Sequence, residues 1–135
     1  MLELSCHCGK VSVRIERRPE FVHECNCTLC RKAGATWGYF QPSEVTVGGE
    51  TARYCRNDKP VPSVAICFCP ACGSTTHFEL TDATIAMLGV NMRLADEREL
   101  DGIELRYPDG RSWSGEGEFG YVREARIIAS PSPRA

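Results

Sequence analysis

Cysteine is the residue type whose number and spacing in this sequence point most directly to chemistry. The chain has nine cysteines in 135 residues, and seven of them lie in three short groups. The groups are Cys6-His7-Cys8-Gly9, Cys25-Asn26-Cys27-Thr28-Leu29-Cys30 and Cys69-Pro70-Ala71-Cys72-Gly73. Neighbouring cysteines in these groups have one or two residues between them, which is the ligand spacing of zinc sites. The odd total of cysteines disfavours complete disulfide pairing. The sequence therefore predicts metal binding by thiolates.

The first and last groups predict a structural zinc site. Alternate residues of a strand face the same side, so Cys6 and Cys8 are expected to direct both sulfurs at one point. Cys69 and Cys72 have the spacing of a zinc knuckle, in which Gly73 supplies the positive φ of the turn. Four thiolates enclose a tetrahedral zinc with no vacant position, which is typical of a structural ion. Iron is the alternative metal for such a site.

The middle group predicts a different kind of site. Cys25, Cys27 and Cys30 supply three ligands to one ion, which leaves a fourth position for a substrate thiolate or water. Arg31 and Lys32 follow directly, and their charge can offset the thiolates or attract substrate carboxylates. We therefore predict a catalytic zinc here.

A closed second site is the alternative, with Cys55, Cys67 or a histidine as the fourth ligand. His23 is the histidine that best fits this role, because it precedes the group. Cys67 also forms a Cys-x-Cys pair with Cys69 and competes with Cys72 for the structural ion. We expect Cys55 and Cys67 instead to be buried as small apolar residues.

Two further pairs of residues are candidates for the substrate pocket. On an alternating strand Trp37 and Tyr39 share a face, from which they can wall the open zinc, while Phe40 points to the other face. Asn91 and Arg93 lie on one side of a strand end, where they are candidates to contact a substrate carboxylate.

The elements that must position these residues are mostly short strands, with one helical turn over Thr28 to Ala33 that ends at Gly34. The alternation of Val11 to Glu16 is the clearest strand pattern. The further predicted strands are 21–25, 36–40, 44–47, 51–55, 63–68, 75–80, 85–90, 103–107 and 120–126. This pattern predicts an all-β fold.

Composition and charge restrict the class of protein. Sixteen basic and eighteen acidic residues give a net charge of −2, which argues against nucleic-acid binding. No apolar stretch is long enough to span a membrane, and the N-terminus lacks an export signal, so we expect a cytoplasmic protein. The length fits one domain over residues 1–129, followed by a disordered tail over residues 130–135.

The three cysteine groups, in this order, resemble the glutathione-dependent formaldehyde-activating enzyme family, also described as centromere protein V-like domains. The matching segments are Ser5-Cys-His-Cys-Gly-Lys-Val11, Cys25-Asn-Cys-Thr-Leu-Cys-Arg-Lys32, Phe68-Cys-Pro-Ala-Cys-Gly73, Gly89-Val-Asn-Met-Arg93 and Asp109-Gly-Arg-Ser-Trp113. Each segment alone is weakly to moderately specific, whereas the ordered set is a strong signal.

This resemblance implies an all-β, tent-like fold of several small antiparallel sheets with two zinc ions per chain. Carried over by motif, Cys6, Cys8, Cys69 and Cys72 hold the structural zinc, and Cys25, Cys27 and Cys30 hold the catalytic one. The implied activity is that of a carbon–sulfur lyase, S-(hydroxymethyl)glutathione synthase, with glutathione and formaldehyde as partners. A non-catalytic, zinc-stabilised binding module is the alternative function.

Overall fold

The computed structural model of this protein describes residues 1–59 and 63–130, which form eleven strands and one α-helix. The helix, α1, is Thr28–Ala33. The strands are β1 (Leu2–Ser5), β2 (Ser12–Ile15), β3 (Phe21–His23), β4 (Trp37–Phe40), β5 (Val45–Gly48), β6 (Ala52–Cys55), β7 (Val64–Phe68), β8 (Thr75–Leu80), β9 (Leu88–Asn91), β10 (Glu104–Arg106) and β11 (Arg126–Ile127). The predicted all-β class is confirmed.

The strands form two sheets of unequal size. A small antiparallel sheet has the order β1-β2-β5, and a large sheet has the order β11-β10-β3-β4-β9-β8-β7-β6. The large sheet is antiparallel except for β3 and β10, which pair in parallel. This pairing is the one departure from the expected antiparallel pattern among the described strands, and it brings the C-terminal part of the chain beside β3.

The principal core joins the two sheets. Val13 and Ile15 of the small sheet are fully buried in one cluster with Phe40 and Val90 of the large sheet. Burial of such side chains contributes roughly 1.5–3 kcal/mol each relative to exposure. The opposite face of the large sheet packs Trp37 against residues of α1.

Helix α1 begins and ends where local sequence requires. The Cys27 side chain accepts a hydrogen bond from the Cys30 N–H as the N-cap, and Gly34 ends the helix at a φ of 66°. A left-handed residue at this position favours glycine because it lacks a Cβ. The predicted helix bounds and the predicted stop are both confirmed.

The two ends of the chain depart from the sequence predictions. Leu2–Ser5 forms a strand that was not predicted, because four residues paired to β2 carry too little alternation to be recognised alone. The predicted strand over residues 120–126 is wrong: only Arg126–Ile127 is a strand, and Tyr121 makes a single bridge to Pro108. The remaining residues there form bends and irregular loop.

Residues 131–135 of the predicted tail lie outside the described residues. Ser130, the first residue of that tail, donates hydrogen bonds from its N–H and hydroxyl to the Asp101 carboxylate, at 2.5 and 2.9 Å. The single domain over 1–129 stays a prediction. Within residues 1–59 and 63–130, the structure contains no helix with the length and apolar character needed to cross a membrane.

Candidate metal centres

The first cysteine cluster combines two turns that are distant in sequence. Cys6 and Cys8 lie in the turn between β1 and β2, and Cys69 and Cys72 lie in the turn between β7 and β8. The strand geometry expected for Cys6 and Cys8 is therefore wrong. Convergence instead comes from a tight turn in which the Gly9 N–H donates to the Cys6 carbonyl, with Gly9 at a φ of 83°.

The knuckle around Cys69 has the geometry expected of its spacing. The Gly73 N–H donates to the Cys69 carbonyl at 2.8 Å, and Gly73 has a φ of 78°. The two turns also contact each other, since the His7 N–H donates to the Ser74 hydroxyl at 3.3 Å. The His7 side chain is exposed and belongs to none of the ligand groups among the described residues.

The distances within this four-thiol cluster fit a zinc ion. The Cys8 Sγ lies 3.7 Å from both the Cys6 Sγ and the Cys69 Sγ, and all four sulfurs lie within 4.8 Å of one another. Zn–S bonds of about 2.3 Å in a tetrahedron place sulfurs about 3.8 Å apart, whereas a disulfide needs about 2.05 Å. The cluster is therefore spaced for a shared ion.

Hydrogen bonds and charge distribute the protons of this cluster unevenly. The Ser74 hydroxyl and N–H lower the pKa of Cys72 to about 5. Desolvation opposes ionisation of Cys6, but the Val11 N–H and the Cys8 and Cys69 thiols together lower its pKa. The Lys10 N–H acts to lower the pKa of Cys8, yet desolvation and the neighbouring sulfurs outweigh it and raise that pKa to about 11. Metal binding must displace at least the Cys8 proton.

The second cluster is the three-thiol cluster of Cys25, Cys27 and Cys30. It occupies the loop from β3 to α1 and the first turn of α1, and its sulfurs lie within 4.8 Å of one another. The Cys27 N–H points at the Cys25 Sγ and the Cys30 N–H at the Cys27 Sγ, each at 3.4 Å. The Trp37 indole N–H donates to the Cys30 Sγ at 3.3 Å. Each sulfur thus has an N–H donor that stabilises a thiolate.

No fourth Cys, His, Asp or Glu ligand atom joins this cluster within 4.8 Å in the described part of the chain. Cys55 lies on β6 and is exposed, so the expectation that it is buried is wrong. Cys67 is buried as expected, at 2% exposure. The structure groups Cys72, not Cys67, with the other three sulfurs of the four-thiol cluster.

One negative charge is favoured at the centre of the three-thiol cluster. Hydrogen bonds from the Cys25 and Cys30 thiols hold the pKa of Cys27 far below its usual value, and the charge of Arg56 adds to this effect. The same contacts raise the pKa of Cys30, first through Cys25 and then through Cys27. These opposite directions favour the thiolate on Cys27, with the other two thiols as its hydrogen-bond donors.

The cation whose charge acts on Cys27 was not identified from the sequence. Arg56 is 9% exposed, and its guanidinium forms two hydrogen bonds to the Asp58 carboxylate, at 2.8 and 3.0 Å. Asp58 in turn accepts a hydrogen bond from the Thr28 hydroxyl at the start of α1. No local signal near the cysteines marks Arg56, since it reaches them only through pairing of β6 in the sheet.

A later loop closes over Cys25. The Asn26 amide donates to the Asp109 carboxylate at 2.8 Å and accepts from the Arg111 N–H at 2.9 Å. A Cβ on Gly110 would lie 2.3 Å from the Cys25 Sγ, well inside van der Waals contact. Only glycine fits there, which gives a physical role to the Asp109-Gly110 segment.

Aromatic side chains surround the three-thiol cluster on another side. Trp37 and Tyr39 share the face next to the sulfurs, and Phe40 packs in the opposite core, as the alternation predicts. The Tyr39 hydroxyl lies 3.0 Å from the His23 Nδ1. Burial and then the charges of the three sulfurs raise the pKa of Tyr39, so its hydroxyl stays protonated.

His23 is an aromatic neighbour of the cluster rather than one of the grouped ligands. It is 5% exposed, and its ring lies edge-on to Phe119, with centroids 5.9 Å apart. Within the part of the chain that the structure describes, its Nε2 has no hydrogen-bond partner. Burial and then the charge of Arg106 lower its pKa to about 4, so the ring is neutral near pH 7.

A groove of about 420 Å³ lies between α1 and the strands β6 and β7. One wall of the groove is formed by Thr28, Leu29 and Lys32 of the helix. The other lining residues include Tyr54 and Arg56. Arg56 thus borders the groove and also affects the Cys27 thiolate. Asp58 also lines the groove and pairs with Arg56, so Lys32 is the cation of this lining that carries no ion pair with it.

The expectation that Asn91 contacts a substrate is wrong. Its amide is 5% exposed and is occupied by backbone groups: the oxygen accepts from the Thr36 and Arg93 N–H groups, and the nitrogen donates to the Thr75 carbonyl. Arg93 is exposed and pairs with Glu24 at 3.4 Å. Asn91 therefore holds the end of β9.

A mostly β fold with one four-thiol and one three-thiol cluster is typical of small domains whose cysteines are grouped to hold metal ions. Within that class, the chain belongs to the glutathione-dependent formaldehyde-activating enzyme family, which it matches over residues 1–106. The match ends before the Asp109-Gly110 loop, although the resemblance seen in the sequence extends through that loop.

A solved structure supports the same fold. A crystal structure of a Rhodobacter sphaeroides protein is 26% identical and superposes with a TM-score of 0.59, covering 70% of this chain and 88% of the other. A search of the curated proteins gives no match.

Proposed function

We propose that this protein is a zinc-dependent carbon–sulfur lyase acting on a small thiol–aldehyde adduct, with S-(hydroxymethyl)glutathione as the best candidate. Family membership supports glutathione- and formaldehyde-related chemistry. The observation that carries the proposal is the three-thiol cluster, which has donors to each sulfur and no fourth grouped ligand in residues 1–59 and 63–130.

In this proposal each chain holds two zinc ions with different roles. Cys6, Cys8, Cys69 and Cys72 enclose a structural ion, and Cys25, Cys27 and Cys30 hold the catalytic ion. A bound zinc supplies a Lewis acid that keeps the substrate sulfur as a thiolate near pH 7. The chain's own contribution is to hold the three ligand sulfurs in place through Trp37 and the backbone of α1.

The reaction balances without a further reactant. The glutathione sulfur forms a bond to the aldehyde carbon, the carbonyl π pair moves to oxygen, and the proton lost by the thiol ends on that oxygen. The reverse reaction releases aldehyde and thiol. Proximity of the two reactants is the main contribution required of the protein, because the uncatalysed reaction is feasible.

The surroundings of the cluster support an anionic thiol substrate. Lys32 borders the groove beside α1 and can attract a carboxylate of a peptide such as glutathione, whereas the charge of Arg56 is offset by Asp58. The aromatic rings of Trp37 and Tyr39, on the same face as the sulfurs, limit access of water to the reacting carbon.

The test is exchange NMR on an equilibrium mixture of formaldehyde, glutathione and their adduct, with and without zinc-loaded protein. We expect the wild type to accelerate exchange and Cys30→Ser to abolish the acceleration. Cys55→Ser is the matched control, because Cys55 is exposed and belongs to neither cluster. Zinc content of each variant is measured in parallel.

No acceleration by fully zinc-loaded wild type would reject the lyase and favour the non-catalytic binding module. A visible absorption spectrum of the purified protein would instead point to iron in the four-thiol cluster.

A further inference from the structure

A third group of potential metal ligands lies on a different part of the large sheet. Cys67 on β7 is directly opposite His77 on β8 in the strand register, and Glu79 follows two residues later on the same face. One ligand atom from each residue lies within 4.8 Å of the other two. We call these residues the mixed cluster.

The mixed cluster faces away from the three-thiol cluster. Ile66 and Phe78, the strand neighbours of Cys67 and His77, pack on the α1 side with Trp37. Because adjacent strand residues point to opposite faces, Cys67 and His77 face the other way. His77 lies opposite Val90, a residue of the core between the two sheets. The mixed cluster therefore faces away from the three-thiol cluster, and its ligand atoms form a group distinct from the four-thiol cluster.

Hydrogen bonds fix which nitrogen of His77 is available. The Thr76 hydroxyl donates to the Cys67 carbonyl at 3.2 Å, so its one proton is used. The His77 Nδ1 lies 3.0 Å from the same hydroxyl oxygen, and in the tautomer that fits this arrangement Nδ1 donates to it. In the neutral imidazole, Nε2 is consequently an unprotonated acceptor.

This acceptor faces a second acceptor. The His77 Nε2 lies 3.4 Å from the Glu79 Oε1, while the other carboxylate oxygen lies 3.4 Å from the Arg53 Nε. His77 is 3% exposed, and burial lowers its pKa against the opposing effect of Glu79. In this tautomer an imidazole lone pair and a carboxylate oxygen converge beside the Cys67 sulfur, and a cation bound between them would contact all three.

We infer that Cys67, His77 and Glu79 form a further binding site for a divalent transition-metal ion, with zinc the best match. Sulfur, imidazole nitrogen and carboxylate oxygen are the three protein ligand types of zinc. The Thr76 hydroxyl supplies the second hydrogen bond that orients a ligating histidine. Arg53 holds the carboxylate by the oxygen that faces away from His77.

Glu79 is the ligand of the mixed cluster that solvent reaches. The Glu79 side chain is 47% exposed, whereas Cys67 and His77 are nearly fully buried. An ion arriving from solvent therefore meets the carboxylate first. Three ligands leave a position for water, so we expect this ion to exchange more readily than an ion in the four-thiol cluster.

The experiment loads the purified full-length protein with ¹¹³Cd²⁺ and counts bound ions by ¹¹³Cd NMR and by elemental analysis after gel filtration. Thiolate-rich and mixed S, N, O sites give well-separated ¹¹³Cd resonances. We expect a mixed-ligand resonance in the wild type and its loss in Cys67→Ala, with one ion fewer per chain. Cys55→Ser, the exposed cysteine on the neighbouring strand, is expected to keep it.

A second variant is included because Cys67→Ala removes a buried side chain and a loss of folding would also remove the ion. Glu79→Gln changes a half-exposed residue and is expected to weaken binding of that ion at least about tenfold in a chelator competition. Equal ion counts in wild type and folded Cys67→Ala would overturn the inference. So would an unchanged affinity in Glu79→Gln. Neither result depends on lyase activity, because the exchange NMR experiment tests the proposed function separately.

Discussion

At the scale of single residues, the three-thiol cluster depends on close approaches that tolerate little change. Each sulfur accepts from an N–H of the backbone or of Trp37, and the backbone of Gly110 packs directly on the Cys25 sulfur. A hydrogen bond to a charged acceptor contributes about 1.5–3 kcal/mol. Small displacements of these donors therefore change metal affinity.

Gly110→Ala tests the close approach to Cys25. The added methyl would lie 2.3 Å from the Cys25 Sγ, so the loop or the sulfur must move, and we expect zinc affinity of the three-thiol cluster to fall at least about tenfold. The measurement is chelator competition followed by zinc analysis. Gly120→Ala is the matched control, since a Cβ there meets nothing within 4 Å. Equal affinity in both variants would contradict the steric argument.

At the scale of elements, the short helix α1 and the 3₁₀ turn before β5 depend on side-chain contacts with other segments of the chain. Helix α1 has six residues, far below the length at which an isolated helix is stable in water. Its position depends on the Cys27 cap, the packing of Leu29 and Ala33 under Trp37, and the Asp58–Thr28 contact. The 3₁₀ turn Pro42–Glu44 is likewise fixed before β5 by the pairing of Glu44 with Arg17.

Glu44→Gln tests that pairing through its pH dependence. Hydrogen bonding to Arg17 lowers the pKa of Glu44 in the folded protein. A lowered pKa contributes stability above the unfolded-state pKa of about 4.3, and this contribution is lost as pH falls through the folded-state pKa. Denaturant midpoints of wild type and variant should therefore differ most above about pH 5 and converge at lower pH.

A double-mutant comparison separates the pair from other acid effects. In an Arg17→Met background, Glu44→Gln is expected to show a much smaller pH-dependent difference. A difference that persists unchanged without Arg17 would assign the lowered pKa to another group.

At the scale of the whole molecule, the four-thiol cluster joins the two sheets. Cys6 and Cys8 follow the first strand of the small sheet, whereas Cys69 and Cys72 lie at a turn of the large sheet. A metal bound by all four sulfurs cross-links segments more than sixty residues apart in sequence, as Cys8 and Cys69 are (a separation of 61). Structural zinc contributes directly to folding free energy.

Cys69→Ser is predicted to destabilise the fold, whereas Cys27→Ser is predicted to remove one metal ion and leave the fold intact. Cys69→Ser should remove the structural ion and with it cooperative thermal unfolding. Cys27→Ser should lose one ion but keep the fold within about 1 kcal/mol, because serine is itself a good N-cap for α1. Zinc analysis and circular dichroism melts measure both effects. Equal loss of structure in the two variants would show that the clusters do not divide into structural and reactive roles.

Local patterns in the sequence predicted features set by neighbouring residues. The helix Thr28–Ala33, its stop at Gly34 and the strand Thr75–Leu80 were predicted correctly. The three cysteine groups, and the joining of the first to the last, also followed from spacing and order. These features depend on periodicity, turn preferences and ligand spacing, which a few adjacent residues specify.

Only the tertiary structure revealed contacts that depend on strand register and loop closure. The charge of Arg56 acts on Cys27, and Gly110 lies against Cys25, across long stretches of chain with no local pattern to mark them. Cys67 was predicted to be a buried apolar residue, yet the pairing of β7 with β8 places it beside His77 and Glu79. The sequence by itself determined the candidate metal-ligand groups and the all-β class, because both are encoded in short segments. Their surroundings depend on which distant segments pack together, and that is decided by the fold.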